Sequence, residues 1–487
     1  MAAANHNERT NIIQAGGKTP MLTKSTEEEA EEEEEKEGHD TKDFSAKYES
    51  SLDEITDMYP SAATQVYVLN NTDENGHKLR HSHANVDRKK YDRFGPQARK
   101  PQIQHQDSDW PEGVDVFPED FGPYVPISVF LPQRRALPYQ DHLPNGPINI
   151  DDVKITMCRL AQGAYARHPE KLPFWGDILK ISKCHDPRNT KVAYLFDELD
   201  RAEAAGERFV EFSGMVYHES RTGSTLVANM LASNSDILVY SEPDMLQRIL
   251  AMCQHNSLED KAELFQALVI LMGRSDTHDH FFIKPHPVLS WEVEPIVNAF
   301  PTTPWVFLFR QPVEVMSSQL VEYQPPGQVV SGGFCLSRVA VGQQWLPEAK
   351  VYKILGAYSL SATREEYCAA FLESICEYMV VGLTAPYSTG MAVEYPDIVK
   401  KFIDVVIPYH FGLERSQEQK DRMLEVTTHY SKQRKDNPVQ YPEGEDFKDD
   451  TKRKEEEAWP ELIEGAEILM KSFQVLQELE AKATENF

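Results

Sequence analysis

The chain has 487 residues, 40% of them hydrophobic, so it can bury one large core, or a core with an attached smaller domain, and still carry tails. Fifty basic residues stand against 78 acidic ones, and the formal charge of −28 argues against nucleic acid or an anionic membrane as a partner. The start carries no charged-then-apolar signal and no run approaches the roughly 18 apolar residues of a membrane span, so we expect a soluble, cytoplasmic protein.

The first 205 residues divide into two parts. Residues 1–60 are polar and contain the acidic run EEEAEEEEEKE at 27–37, which repels itself and buries nothing, so we predict a disordered acidic tail. Residues 61–205 contain many prolines and few clear periods, with apolar segments VPISVFLPQ at 125–133 and PFWGDILKI at 173–181. We interpret 61–205 as an N-terminal accessory region of unknown fold that packs against the following domain or contributes to a ligand pocket.

Residues 209–231 predict an anion-binding loop. They read FVEFSGMVYHESRTGSTLVANML, an apolar strand, a short polar turn and an amphipathic helix. The first N–H groups of a helix have no internal partner and the helix dipole adds partial positive charge, so this turn is suited to a phosphate group. The candidate residues are Arg221, Thr222, Gly223, Ser224 and Thr225. The alternative is an ordinary helix cap.

This loop departs from the nucleotide-triphosphate loop G-x-x-x-x-G-K-[ST] at two positions. His218 stands where the first Gly belongs, and Ser224 stands where the Lys belongs. Without that Lys the outer phosphates of a triphosphate lose their charge partner. The use of ATP or GTP is therefore disfavoured, and a nucleotide kinase or NTPase with a degenerate loop stays open as an alternative.

Two further candidates follow the first helix. Glu242 lies in VYSEPDMLQR at 239–248, and Lys284 ends the short strand FFIK at 281–284. In an open α/β sheet, ligands bind outside the carboxyl ends of the strands, which is where Lys284 is placed. The alternatives are that Glu242 caps a helix and that Lys284 is a solvated strand end.

A second strand and helix begin at residue 304. PWVFLFR at 304–310 predicts a buried strand, and QPVEVMSSQL at 311–320 predicts a helix with Pro312 in its first turn. Arg310 then lies at the carboxyl end of a strand, and Ser318 lies two helical turns further on. The alternative is an Arg that pairs with a surface carboxylate and a Ser that faces water.

Strands and helices alternate from about residue 206. Segments 262–272, 291–299, 365–381 and a stripe of apolar residues over 462–479 predict helices, and 390–395 predicts a strand followed by a helical segment at 396–406. Near the C-terminus, THYSKQR at 428–434 is basic and bears hydroxyl groups, with Ser431 and Lys432 as candidates; an exposed turn is the alternative. The alternation predicts an α/β fold, a parallel sheet flanked by helices.

Three of these segments together resemble a known family. HESRTGSTL at 218–226, FLFRQPVEV at 307–315 and YSK at 430–432 resemble the sulfotransferases, which use 3'-phosphoadenosine-5'-phosphosulfate (PAPS), and the bacterial and microalgal members most of all. The resemblance covers about 206–480, and it implies that 206–487 form a sulfotransferase-like domain with the P-loop NTPase-like sulfotransferase fold. The chain departs from the small-molecule cytosolic sulfotransferases, which have a Lys in the loop and a Gly-rich Arg-Lys-Gly segment near the C-terminus.

The resemblance also implies roles for the candidates. Arg221 and the loop N–H groups would hold the 5'-phosphosulfate, and Lys284 would neutralise charge on the transferred group. The 3'-phosphate would lie at Arg310 and Ser318, with Ser431 and Lys432 as further cofactor contacts. Either Glu242 or His218 would take the proton of an acceptor hydroxyl or amine, carried by a small molecule or a peptide. A catalytically silent nucleotide-fold binding protein is the other alternative.

Cysteine and histidine usage predicts no metal site. The six cysteines, at 158, 184, 253, 335, 368 and 376, show no paired metal spacing and are too sparse for a disulfide scaffold, so we expect reduced, buried thiols. The HDH triplet at 278–280 has no Cys or carboxylate partner at helical spacing and predicts a polar turn. The oligomeric state has no signature in the sequence.

Overall fold

The computed structural model describes residues 114–130, 146–184, 187–320, 347–428, 454, 456 and 458–485. All of them lie in the second of the two units into which the chain divides, Arg88–Phe487. The predicted acidic tail, 1–60, lies outside the described residues. The domain boundaries at 60 and 205 stay predictions.

The described part of the accessory region contains a small antiparallel sheet. Its strands are β1 (Phe121–Phe130), β2 (Lys154–Ala161) and β3 (Arg188–Lys191), in the order β1-β2-β3. Three helices accompany them: α1 (Gln162–Arg167), α2 (Trp175–Ser182) and α3 (Leu195–Ala204). The two apolar segments singled out in the sequence fall mainly on β1 and α2.

This N-terminal layer packs against the main sheet. Gln162 of α1 donates a hydrogen bond from Nε2 to the Tyr240 hydroxyl, at 2.7 Å. The rings of Trp175 in α2 and Tyr240 are 4.8 Å apart in an edge-on arrangement, which is favourable for aromatic pairs. The expectation that the accessory region packs against the following domain is met at these contacts.

Five parallel strands form the main sheet. They are β4 (Glu211–His218), β5 (Ile237–Ser241), β6 (His280–Lys284), β7 (Trp305–Phe309) and β8 (Gly390–Glu394), in the order β5-β6-β4-β7-β8. Every residue of β5 and β7 is buried, as expected for a parallel sheet covered on both faces. The predicted α/β fold, a parallel sheet flanked by helices, is confirmed.

Helices connect and cover these strands. In chain order they are α4 (Ser224–Ala232), α5 (Asp244–Met252), α6 (Leu258–Met272), α7 (Val293–Ala299), α8 (Pro312–Leu320), α9 (Pro347–Leu355), α10 (Arg364–Thr384), α11 (Ile398–Lys401), α12 (Gln417–Thr427), α13 (Pro460–Ala466) and α14 (Met470–Thr484). A π-helix, Phe402–His410, continues directly from α11. By length and hydropathy alone α10 could cross a membrane, but 67% of its most apolar stretch is buried within the protein, which is typical of a core helix.

The single C-terminal helix predicted from the apolar stripe is wrong in one respect. The chain forms two helices there. Shortly after Gly465, residues 467–470 form tight turns in which the N–H of each residue donates a hydrogen bond to the carbonyl three residues earlier. Gly465 itself packs closely on Glu365, since a Cβ at that position would lie 3.1 Å from the Glu365 Cβ. Glycine also lowers helix propensity, so the break has a local cause.

The order of the strands places one crevice at the carboxyl edge of the sheet. The chain leaves β4 toward the β5 edge, whereas it leaves β7 toward the β8 edge. Neighbouring strands whose connections run in opposite directions open a crevice between their following loops, where α/β proteins bind ligands. His218 ends β4 and Arg310 follows β7, so the predicted site residues flank this switch point.

Candidate functional site

The loop between β4 and α4 has an unusual backbone. Ser220 and Arg221 have φ values of 91° and 57°, and Gly223 has a φ of 77°. Residues other than glycine rarely adopt this region, and such strain concentrates at functional sites. At Gly223 a Cβ would also lie 3.0 Å from the Tyr395 ring, so any other residue would be strained by its φ and crowded against that ring. The chain thus turns sharply from strand to helix, as the sequence predicted.

The start of α4 leaves a buried polar group without a partner among the residues that the structure describes. No side chain caps this nine-residue helix, so the alternative of an ordinary capped helix is not what the structure contains. The Thr222 hydroxyl is buried and has no hydrogen-bond partner among the described residues. Arg221 is half-buried, and within the described part of the chain its side chain forms no ion pair. Buried polar groups are normally satisfied, which makes this end of the helix a candidate anion site.

Arg310 is held at the end of β7 by two neighbours. Its side chain is 4% exposed and forms an ion pair with Glu314, one helical turn later, whose side chain is 5% exposed. Its guanidinium lies 3.7 Å from the centroid of the Tyr395 ring, in cation–π contact. The alternative of an Arg paired with a surface carboxylate is wrong, because the partner is buried. An anion in the crevice would share Arg310 with Glu314.

Helix α8 contacts the loop through residues that the sequence analysis did not select. Gln319 donates a hydrogen bond from Nε2 to the Ser220 hydroxyl at 2.7 Å. Ser318 donates to the Glu314 carbonyl at 3.0 Å and is half-buried, so the alternative of a Ser that only faces water is wrong. Ser318 and Arg310 are thereby both joined to Glu314. The structure thus brings the turn between β7 and α8, which contains Arg310, next to the loop between β4 and α4.

Glu242 and Lys284 form an ion pair at the ends of β5 and β6. The Lys284 side chain is 1% exposed and that of Glu242 is 26% exposed. The strand register accounts for this pair. Ser241 lies directly beside Lys284 in the parallel sheet, so Glu242, the next residue, is adjacent to the Lys284 side chain. Both alternatives are therefore wrong: Glu242 does not cap α5, and Lys284 is not solvated. The ring of Phe174, from the N-terminal layer, lies 5.3 Å from the Lys284 ammonium.

Electrostatics keep Glu242 ionised. Burial alone would raise the pKa of this carboxyl group, but the Lys284 ammonium group, electrostatic interactions with the His286 and His218 rings and the hydrogen bond from Lys284 outweigh burial and lower the pKa to about 2. Glu242 is also in the left-handed region, with a φ of 58°. A carboxylate in this state is present at neutral pH and can accept a proton only when the charge around it changes.

Both ring nitrogens of His218 already have partners. Nδ1 accepts a hydrogen bond from the Ser220 N–H at 3.1 Å, and Nε2 lies 3.1 Å from the Pro285 carbonyl oxygen. This pattern is satisfied by the neutral ring with its proton on Nε2. Nε2 is also 3.9 Å from Glu242 Oε1. His218 is therefore bonded into the loop and lies next to Glu242.

Glu219 and Tyr395 are site residues that the sequence analysis missed. Tyr395 follows β8 and separates Gly223 from Arg310, and the only sequence signal for it was its place after a strand. Glu219 is buried behind the loop, where it accepts hydrogen bonds from the Arg310 N–H and the Cys376 thiol. No local pattern distinguishes it from a solvated loop glutamate.

Several predictions fall elsewhere. Ser431 and Lys432 lie outside the described residues. Among the residues that the structure describes, no group of three or more His, Cys, Asp or Glu side chains could hold a metal ion, and the absence of a metal stays a prediction. The expectation of reduced thiols is wrong for Cys158, which forms a disulfide with Cys184 across 5.5 Å between their Cα atoms, and for Cys368, which is also disulfide-bonded. Cys253 and Cys376 are free and buried as expected.

Comparisons with known proteins add little to this geometry. No family model matches the chain, and no curated protein matches it. Among solved structures it is similar to the crystal structure of sulfotransferase STF9 from Mycobacterium avium, at 12% identity and a TM-score of 0.31, over 50% of this chain and 73% of that one. A similarity of this size supports no conclusion about activity.

Proposed function

We propose that this chain is a PAPS-dependent sulfotransferase that moves a sulfonate group to a hydroxyl or amine of a small molecule or peptide. One observation carries the proposal: the loop from Arg221 to Thr225 combines a half-buried cation with a helix start and a Thr222 hydroxyl to which no described side chain is hydrogen-bonded. This set of donors fits a doubly charged, oxygen-rich group and lacks the Lys that a triphosphate requires.

The remaining donors fit a ligand with two separate anionic ends. Arg310 lies across the β4–β7 switch point from Arg221 and would hold the 3'-phosphate together with Ser318. Ser431 and Lys432 are proposed as further contacts. Bound PAPS would supply an activated sulfonate group, and the bond that breaks on transfer would leave 3',5'-ADP as the nucleotide product. Two cationic anchors on neighbouring strand ends are a reason to favour a bisphosphorylated nucleotide over a single phosphate.

Lys284 and Glu242 would act together at the transferred group. Lys284 stabilises negative charge there through its positive charge and through hydrogen bonds that its ammonium group donates, as preorganised cations do in group transfer. When Lys284 turns toward that charge, Glu242 loses part of its ion pair, and its pKa rises from about 2 toward a range in which it accepts a proton. The hydrogen bonds of His218 favour Glu242 as the base, with His218 beside it as an orienting group.

A thermal-shift comparison tests the proposal. Stabilisation by 3',5'-ADP and not by ATP or GTP is the expected result, because a ligand that binds the folded state raises the melting temperature. Stabilisation by ATP or GTP instead would favour the kinase or NTPase alternative. No shift with any of the three would favour a binding protein without nucleotide chemistry. The Arg221→Ala variant serves as the control, since it should lose the shift with 3',5'-ADP.

A further inference from the structure

Glu219 joins the two halves of the candidate site. It is the first residue after β4, and its own N–H donates to the Leu308 carbonyl of β7 at 3.2 Å. Its carboxyl Oε1 accepts the Arg310 N–H at 2.8 Å, and Oε2 accepts the Cys376 thiol of α10 at 3.1 Å. The residue is 2% exposed. One buried side chain therefore links the loop after β4, the corner after β7 and the core helix behind both.

The surroundings of Glu219 oppose a negative charge. Burial raises the pKa of Glu219 to about 8, against the lowering effects of the Cys376 and Arg310 hydrogen bonds and the Arg310 charge. The other acidic groups that face it are Glu394 at the end of β8 and Glu373 of α10. A carboxyl group that stays neutral at pH 7 can lie beside an anion without repelling it.

We infer that Glu219 is a positioning residue of the anion site, which sets the spacing between the Arg221 loop and Arg310 through its bonds to both strand ends. This inference rests on the proposed function for the identity of the ligand, but the arrangement itself requires only an anion at the loop. An apolar side chain at 219 would fill the volume and leave the Arg310 N–H without its partner. A buried donor without a partner is costly, so that corner would move.

The inference predicts a pH dependence with a definite sign. As the pH rises through about 8, Glu219 ionises and places a negative charge next to Arg310. A bound anion opposes that ionisation, so anion affinity falls as the pH rises. Glu219 has a pKa of 4.5 in the unfolded chain and about 8 in the folded protein. The folded state therefore keeps the Glu219 proton to a higher pH than the unfolded chain does, and the free energy of unfolding of the unbound protein falls as the pH rises from about 4.5 to about 8.

Glu219→Gln is the central variant, and Glu373→Gln is its matched control. Glutamine keeps an acceptor for the Arg310 N–H and cannot ionise. Glu373 is also buried and faces Glu219, and burial raises its pKa to about 8, but the hydrogen bond that it accepts comes from the Ser472 hydroxyl of α14 and not from the loop or the Arg310 N–H. Glu219→Leu removes the acceptor and keeps the volume.

The probes are inorganic sulfate and 3',5'-ADP, titrated calorimetrically at about pH 7 and about pH 9. For the wild type and Glu373→Gln we expect sulfate affinity to fall roughly three- to tenfold between the two pH values. Glu219→Gln should bind like the wild type at the lower pH and change less than about twofold. Glu219→Leu, where it folds, should bind about tenfold more weakly at both values.

The outcomes separate the two proposals. A Glu219→Gln variant with the same pH dependence as the wild type, or with a tenfold loss at the lower pH, overturns the positioning role. Sulfate binding by the wild type without 3',5'-ADP binding refutes the PAPS proposal and leaves the Glu219 result valid. Binding of neither probe refutes the anion site, and with it the role of Glu219.

Discussion

At the scale of single residues, the candidate site depends on charges whose partners differ. Arg221 has no ion pair in the described part of the chain, whereas the buried Lys284 is paired with the partly exposed Glu242 and the buried Arg310 is paired with the buried Glu314. A buried charge without a partner is costly, so the paired residues contribute to folding as well as to binding. A substitution of Arg221 therefore tests function with less effect on stability than a substitution of Lys284 or Arg310.

Arg221→Ala should lower sulfonate transfer by about two or more orders of magnitude, the effect of removing one preorganised charge-stabilising group. The free energy of unfolding should change little, because no ion pair with a described residue is lost. Steady-state kinetics and urea unfolding of the same preparation measure both quantities. A transfer rate within about threefold of the wild type would remove Arg221 from the mechanism, since that factor corresponds to less than 1 kcal/mol.

Glu242→Gln should reduce transfer about a hundredfold to ten-thousandfold, as expected for loss of a general base. Glutamine is nearly isosteric with glutamate, but the buried Lys284 loses its charge partner. We therefore also expect a loss of about 1.5 to 3 kcal/mol in the free energy of unfolding at neutral pH. Glu242→Gln combined with Lys284→Met should recover part of that stability, because both charges are then gone.

The difference in the free energy of unfolding between the wild type and Glu242→Gln should depend on pH in a definite direction. The pKa of Glu242 is lowered from 4.5 to about 2, so its contribution to stability is complete above pH 4.5 and disappears as the pH falls toward 2. Urea unfolding should thus show a smaller difference in stability between the wild type and Glu242→Gln at acid pH.

His218→Asn is the matched test of the base: normal turnover by Glu242→Gln with an inactive His218→Asn would assign the proton transfer to His218.

At the scale of elements, the corner between β7 and α8 is the second half of the site. Pro312 starts α8, and Glu314 in its first turn reaches back to the Arg310 side chain that leaves β7. Tyr395, at the end of β8, closes the other side of the guanidinium. The first turn of α8 and the residue after β8 thus hold the Arg310 guanidinium in place, and this arrangement limits the entropy that Arg310 loses when it binds an anion.

Arg310→Ala should weaken 3',5'-ADP far more than 5'-AMP, because only the former carries the 3'-phosphate proposed to lie at this corner. The change also leaves Glu314 buried without its partner, so Arg310→Ala with Glu314→Gln is the suitable control for stability. Calorimetric titration of both nucleotides with each variant decides the matter. Equal losses for the two nucleotides would place the 3'-phosphate elsewhere.

At the scale of the whole molecule, the N-terminal layer and the main sheet are linked around the carboxyl edge of β5 and β6. Trp175 and Gln162 contact Tyr240 in β5, and Phe174 contacts Lys284. The Cys158–Cys184 disulfide joins β2 to the end of α2 within this layer. The helix that begins directly after Phe174 is thus tied to the small sheet.

Replacing both Cys158 and Cys184 by serine should destabilise the protein by about 3 kcal/mol, the usual effect of opening a loop of this length. Alkylation of the denatured protein with and without prior reduction, read by mass spectrometry, counts the paired cysteines, because Cys158 is itself buried in the native protein. Cys253 and Cys376 should stay unmodified until the protein unfolds, because both are buried. Alkylation of Cys158 without reductant would show a reduced pair and restore the expectation from the sequence. Disulfides are rare in the cytoplasm, so this count also bears on the proposed cytoplasmic location.

The sequence by itself determined the local parts of this protein. The strand, turn and helix at 209–231 and the strand ending at Arg310 are encoded by apolar periodicity, helix-start signals and the positions of Gly223 and Pro312, all of which act over a few residues. Alternation of such units is enough to predict a parallel α/β sheet, and the rule for strand ends placed Lys284 and Arg310 at its edge.

Only the tertiary structure decided which of these groups meet. Glu242 pairs with Lys284 across 42 positions, and Glu219 accepts the thiol of Cys376 across 157. Such contacts depend on the order of the strands and on which helix covers them, and neither leaves a period in the sequence. The same holds for Tyr395 against Arg310 and for the Cys158–Cys184 bond. Burial then changes the chemistry of the side chains it brings together, because the energy of a charge depends on its partners in three dimensions.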